Sequence, residues 1–247
     1  MSLCPLSKYI YWMRNILTFE SYSSQNIQDQ AIRQAVGQLA ADPDSVELPF
    51  SDEEYYVTCE NMMDWHGFQR HDDGATFSMT LDNEHESFTE MVSHPDYLRL
   101  VRAVQQSMMS SGRKGRKLRL VDMGCGLGQF VYYCGKMGIN AEGIEFQEHL
   151  KSAHQEMGVK VSYGDFYSVA QGPLSKADIV YLYRPVNKTT SVSKLLQMIH
   201  RATKPGAVVI YVQLDMDADL RGWEVVPFRE EAEGYETCVL LKRDQGS

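Results

Sequence analysis

The residues whose types and spacing carry chemistry lie between Leu118 and Gly128, in the run Leu-Arg-Leu-Val-Asp-Met-Gly-Cys-Gly-Leu-Gly. Leu118 to Asp122 reads as a buried strand, and Gly124, Gly126 and Gly128 turn the chain into an amphipathic segment carrying Phe130, Val131 and Cys134. Glycines after a strand let the backbone approach a ligand more closely than any Cβ allows. A helix that starts there aims free N–H groups and the positive end of its dipole at whatever occupies the crevice. The pattern is that of a nucleotide-type cofactor site.

Flanking residues narrow the cofactor. A dinucleotide fingerprint runs Gly-x-Gly-x-x-Gly, and here its third glycine position holds Gln129. Asp122, just before the loop, repels a pyrophosphate but suits a cationic amino group. Glu145 stands about 20 residues past the first glycine, where an acid accepts hydrogen bonds from ribose hydroxyls. In Gly164-Asp165-Phe166, Asp165 can accept from an exocyclic amine and Phe166 can flank a ring. Cys125 within the loop and Phe146 beside Glu145 complete the cofactor-binding set. The ligand so described has an amino-acid end, a ribose and an adenine, and no phosphate, which disfavours a nicotinamide oxidoreductase.

Alternating strands and helices must position these groups. Helical signals occupy Gln129 to Lys136, Gln147 to Met157 and Ser191 to Thr203, the last stopped by Pro205-Gly206. Strand signals occupy Ala141 to Glu145, Val159 to Tyr163, Asp178 to Tyr183 and Ala207 to Gln213, with a closing antiparallel pair at Trp223 to Phe228 and Tyr235 to Lys242. Such alternation predicts a doubly wound α/β domain over 118–247, with ligands at the carboxyl ends of the strands. Residues 111–117 read as a basic linker, with Arg113, Lys114, Arg116 and Lys117 in solvent. Residues 1–110 read as a mainly helical extension, a candidate substrate-shaping lid. Within it, Ile32, Ala35, Val36 and Leu39 share a helical face, and Ser51-Asp-Glu-Glu54 forms a capping box. Pro95 opens a helix with Tyr97, Leu98, Val101 and Val104 on one face. Ala75 to Leu81 suits a short strand, and the stretch between His85 and His94 a polar helix.

Composition sets the outer bounds. The chain has 247 residues, is 43% hydrophobic and 23% charged, and carries a formal net charge of −9, which argues against nucleic acid as a partner. Five scattered cysteines form no Cys-x-x-Cys pair and suggest reduced thiols and a cytoplasmic location. No apolar run approaches the ~20 residues of a membrane span. His66 and His71, near Asp64, Asp72 and Asp73, lack metal-ligand spacing, so no metal is expected.

Residues ~118 to 242 resemble the class I S-adenosylmethionine-dependent methyltransferases. Asp122-x-Gly124-x-Gly126-x-Gly128 matches that family's first motif, Glu145 its ribose-binding acid and Gly164-Asp165-Phe166 its adenine-binding motif. The closing strand pair matches its seventh-strand hairpin. The resemblance implies a mostly parallel seven-stranded sheet with an antiparallel last strand, S-adenosylmethionine as cofactor, and in-line methyl transfer to an acceptor. It also implies that the end of the fourth strand, Tyr183-Arg184-Pro185-Val186, faces the methyl group. The Asn/Asp-Pro-Pro-Tyr/Phe of enzymes acting on exocyclic amines or amide nitrogens is absent there. Tyr183 is a catalytic-edge candidate that orients a nucleophile or meets the sulfonium with its ring. Arg184 is a second, suited to an acidic substrate group. The acceptor so expected is a small molecule. Two alternatives remain at this point: a non-catalytic cofactor-binding or interaction module on the same fold, and a protein (lysine-type) methyltransferase. The latter rests on the short Gly126-Leu-Gly128-Gln129 and Gly164-Asp-Phe166 likeness to non-SET histone lysine methyltransferases, whose Asn-rich segment is missing.

Overall fold

The computed structural model describes residues 25–65, 69–70, 76–80, 87–91, 94–112, 115–186, 188–232 and 234–243. Its centre is a sheet of seven strands: β4 (Arg119–Met123), β5 (Asn140–Glu145), β6 (Val161–Tyr163), β7 (Ile179–Tyr183), β8 (Val208–Asp215), β9 (Trp223–Ala232) and β10 (Tyr235–Lys242). They lie in the order β6-β5-β4-β7-β8-β10-β9. The first five are parallel; β10 runs antiparallel to β8, and β9 antiparallel to β10. This is the doubly wound sheet expected from the strand–helix alternation, including its antiparallel end. The strand order reverses between β4 and β7, and ligands of open α/β sheets bind at such a switch point.

Two apolar layers explain why these strands form. Side chains alternate along a strand, so Leu120, Ile179 and Tyr181 fall on one face and Val121, Met123, Val180 and Leu182 on the other. The first face is covered by a helix over 25–41 (α1), by α3 (Pro95–Ser110) and by α4 (Gln129–Lys136). The second is covered by α7 (Gln171–Lys176) and α8 (Thr189–Ala202), where Val192, Leu195, Leu196 and Ile199 are buried as their spacing predicts. Each large aliphatic or aromatic side chain withdrawn this way contributes roughly 1.5–3 kcal/mol against the entropy of ordering the chain.

The first helices are built into this core. Ile32, Val36 and Leu39 of α1 have no exposed surface. Gln28 Nε2 donates to the Gly206 carbonyl at 3.0 Å, and Arg33 pairs with Glu224 at 2.6 Å. α2 (Asp52–Trp65) begins at the expected capping box, in which Ser51 Oγ accepts from the Glu54 N–H at 3.0 Å. Pro95 occupies the first turn of α3, and His94 Nδ1 caps it by accepting from the Asp96 N–H.

Some local expectations need correction. The stretch expected as a polar helix between His85 and His94 contains strand β3 (Ser87–Met91). It joins β2 (Thr76–Thr80) and β1 (Gln69–Arg70) in a separate antiparallel sheet. Phe88 and Thr89 favour extended backbone, and ladder pairing satisfies the whole segment. The single helix expected from Gln147 to Met157 is a 3-10 turn, Glu148–Leu150, followed by α5 (Lys151–Glu156). Short helices α6 (Phe166–Val169) and α7 fill a stretch with no clear periodicity. In the basic segment, Arg116 donates to both oxygens of the buried Asp178 at 3.0 Å. Arg113, Lys114, His66 and His71 lie outside the described residues.

None of the described cysteines Cys59, Cys125, Cys134 and Cys238 is in a disulfide, and all are buried. Among the described residues no helix is long and apolar enough to cross a membrane.

Candidate functional site

The glycine-rich loop leaves the carboxyl end of β4 at the switch point. Its three glycines all have positive φ, 85°, 51° and 86° for Gly124, Gly126 and Gly128, a region L side chains enter at a cost. Gly128 is the left-handed N-cap of α4, and a Cβ there would lie 2.9 Å from Val159 Cγ2 and 3.1 Å from His154 Cδ2. At Gly124 a Cβ would meet Pro185 Cβ at 3.5 Å and Phe166 Cζ at 3.7 Å. The loop after β4, the residues after β6 and those after β7 therefore converge on one spot. Cys125 is buried against Gly143, where a Cβ would come 2.3 Å from its Sγ.

The loop is held through both backbone polar groups of Gly126. Glu145 Oε2 accepts from the Gly126 N–H at 2.9 Å, and Oε1 from the Gln147 N–H at 2.9 Å. His154 Nε2 lies 2.6 Å from the Gly126 carbonyl oxygen. A carbonyl only accepts, so Nε2 carries the proton. Nδ1 meets the Tyr163 hydroxyl at 2.6 Å. His154 is buried, and nothing in its polar neighbourhood, which also holds His149, marks it in the sequence.

The acids are placed differently from one another. Asp122 is 3% exposed beneath the loop; burial, with the Glu145 charge added, pushes its carboxyl well above the usual range. Burial also raises Glu145, opposed by the N–H groups of Gln147, Gly126 and Phe146. Asp165 is exposed and caps α6 by accepting from the Tyr167 N–H at 2.7 Å. Phe146 is 70% exposed beside Glu145, an open ring face at the crevice mouth. Gln129 Nε2 is buried and has no hydrogen-bond partner among the described residues.

Past the switch point the site is made of side chains. Arg184 has φ 41° and Gln213 φ 57°, strained values for non-glycine residues at neighbouring strand ends. The Arg184 N–H donates to the Val212 carbonyl at 3.2 Å, and its guanidinium lies over the Tyr235 ring at 5.2 Å. Gln213 sits where β8 and β10 slip register. The Tyr183 ring meets Tyr97 edge-on at 5.8 Å. Burial, with the Glu231 charge, pushes the Tyr183 hydroxyl up to about 12, opposed by Arg184. Tyr97 donates to Glu231 Oε1 at 3.0 Å, and Thr237 Oγ1 donates to the same oxygen at 2.6 Å. Sequence reading misses Glu231, Tyr97 and Thr237, because no spacing links α3 to the last hairpin.

Fold and loop together define a cofactor-binding α/β domain. The chain belongs to the methyltransferase-domain family, whose model matches residues 94–237, from the cap of α3 into β10. Its cofactor is accordingly S-adenosylmethionine. No curated protein matches the chain. Among solved structures, a mutant of MtNAS is 18% identical, with TM-score 0.45 over 61% of this chain and 61% of its own. The chain thus spans about three fifths of that structure's length. A TehB-like SAM-dependent methyltransferase from Corynebacterium glutamicum is 16% identical, with TM-score 0.40 over 60% of this chain and 97% of its own. An S-adenosylmethionine-dependent methyltransferase from Mesorhizobium loti is 24% identical, with TM-score 0.34 over 49% and 56%.

Proposed function

We propose that this chain transfers a methyl group from S-adenosylmethionine to a small-molecule acceptor. The observation that carries the reading is the convergence of Gly124, Phe166 and Pro185 at the switch point, with Glu145 fixed on the loop. The residues fit the cofactor. The loop has no side chain to fill its own cradle, Gln129 has a donor to spare, and Phe146 offers an exposed ring. In this reading the loop and Asp122 hold the cationic amino-acid end, Glu145 the ribose, and Asp165 with Phe166 the adenine. When bound, the cofactor supplies a methyl group on a sulfonium, open to displacement by a nucleophile in line with the carbon–sulfur bond.

The protein's part is alignment and exclusion of water. Tyr183 and Arg184 stand at the edge where the acceptor enters. Arg184 is held there by its own strained backbone and by the Tyr235 ring. Calorimetric titration with S-adenosylhomocysteine tests the cofactor half, with binding expected at a single site. Incubating the protein with methyl-labelled S-adenosylmethionine and small-molecule extracts tests transfer. Label found only on protein would replace this reading with the lysine-type one.

A further inference from the structure

The face of the sheet that carries Tyr183 also carries an acidic group, Glu231, with no salt bridge among the described residues; the nearby Arg229, on which its charge acts, is paired with Asp96. In this corner Asp96 pairs with both Arg99 and Arg229, and Arg99 also pairs with Asp52. Arg184 is engaged with the Tyr235 ring. Glu231 alone among these carboxylates has no salt bridge among the described residues. Its Oε1 accepts from two neutral hydroxyls, those of Tyr97 and Thr237, while Oε2 receives no donor from the described residues. A partly buried carboxylate held in one rotamer by two hydroxyls, with one oxygen spare, is a preorganised acceptor for a cation. Beside it stands Tyr183, whose hydroxyl makes no hydrogen bond among the described residues. Tyr97 and Tyr183 add ring faces and edges to the same corner. Tyr183 is two residues from Pro185, which borders Gly124. The free carboxylate oxygen therefore belongs to the acceptor side of the crevice.

We infer that Glu231 and Tyr183 form the acceptor subsite and that the acceptor is a small molecule bearing an aliphatic ammonium group. The inference rests on the methyl-transfer reading above and names its substrate class. An aliphatic amine is consistent with the missing Asn/Asp-Pro-Pro-Tyr/Phe motif. Planar amide and nucleobase nitrogens delocalise their lone pair, whereas an alkylammonium needs only to lose a proton. In the step that falls to the protein, one ammonium N–H bond breaks and its electron pair stays on nitrogen. The proton passes to Glu231 Oε2 and then to water, leaving a neutral amine whose lone pair is the nucleophile. Tyr183 orients that nitrogen by hydrogen bonding.

The test uses three probes of one shape: phenethylamine as cation, 2-phenylethanol as neutral analogue and phenylacetate as anion. Each is titrated calorimetrically into full-length protein saturated with S-adenosylhomocysteine. Phenethylamine is expected to bind in preference to the other two. Glu231→Gln should weaken it by about tenfold or more while leaving S-adenosylhomocysteine affinity within about twofold. Tyr183→Phe, a smaller change to the fold, should weaken it by about threefold. Preference for phenylacetate, no binding of phenethylamine, or an amine affinity untouched by both substitutions would overturn the proposal. Failure of the unsubstituted protein to bind S-adenosylhomocysteine would instead overturn the cofactor reading beneath it.

Discussion

The two halves of the crevice are built from different materials. On the β4–β5–β6 side a glycine-rich backbone loop is flanked by the side chains of Asp122, Glu145 and Asp165, and all three positive-φ residues of the loop are glycines. On the β7–β8–β10 side the crevice edge is made of side chains, and the strand ends carry positive φ at the non-glycine residues Arg184 and Gln213. A loop whose residue types are forced by its backbone suits a ligand that never changes. A half lined by Tyr183, Arg184 and Glu231 can be remade for a new acceptor without disturbing the other.

This contrast can be broken experimentally. The largest effect is expected at Gly128→Ala, where a left-handed φ and a 2.9 Å approach to Val159 combine. It should cost about 3 kcal/mol, seen as a lower Tm, and abolish S-adenosylhomocysteine binding. A variant that binds normally would show that the loop is not a backbone-made cradle.

His154 gives the next effect. His154→Asn cannot reach the Gly126 carbonyl and should weaken S-adenosylhomocysteine by about tenfold. His154→Gln places an amide N–H near Nε2 and should recover most of that loss. Equal affinities for the two variants would assign His154 to packing alone.

Asp122 is the costly side chain beneath the glycine-rich loop. Its raised folded-state pKa means the native state holds the proton more tightly than the unfolded chain. Stability therefore falls as pH rises above the ordinary carboxylate value of about 4. Asp122→Asn should raise stability near neutral pH by about 1 kcal/mol and weaken cofactor binding. The gain should shrink below about pH 4, which thermal melts across pH would show.

The smallest effect tests the other half. Arg184→Gly should raise Tm slightly, by relief of about 0.5–1 kcal/mol of left-handed strain. A lower Tm would mean that the contact with Tyr235 outweighs the strain.

The same contrast explains what the sequence discloses. Backbone chemistry forces residue type: only glycine suits φ 86° at Gly128, so the loop reads directly, and α4 falls at Gln129–Lys136 as expected. Strands β4, β7 and β8 read as apolar runs because both faces are covered. Tyr97, Glu231 and Thr237 do not read, because tyrosine, glutamate and threonine serve many purposes and their meeting depends on a contact 134 residues long. The Ser87–Met91 strand hides for a related reason, since its polar residues suit either period and only pairing with Thr76–Thr80 decides. His154 is a single residue whose role depends on a carbonyl 28 positions away.

The seat of α1 has a consequence for how the chain is made. Gln28 reaches Gly206, a span of 178 residues, Arg33 reaches Glu224, a span of 191, and Gln25 reaches the Lys242 carbonyl, a span of 217. In synthesis, α1 emerges from the ribosome well before these long-range partners. Ile32, Val36 and Leu39 share their core with residues of α3 and with Val226, Phe228, Val239 and Leu241, so that core is complete only once β9 and β10 have been translated.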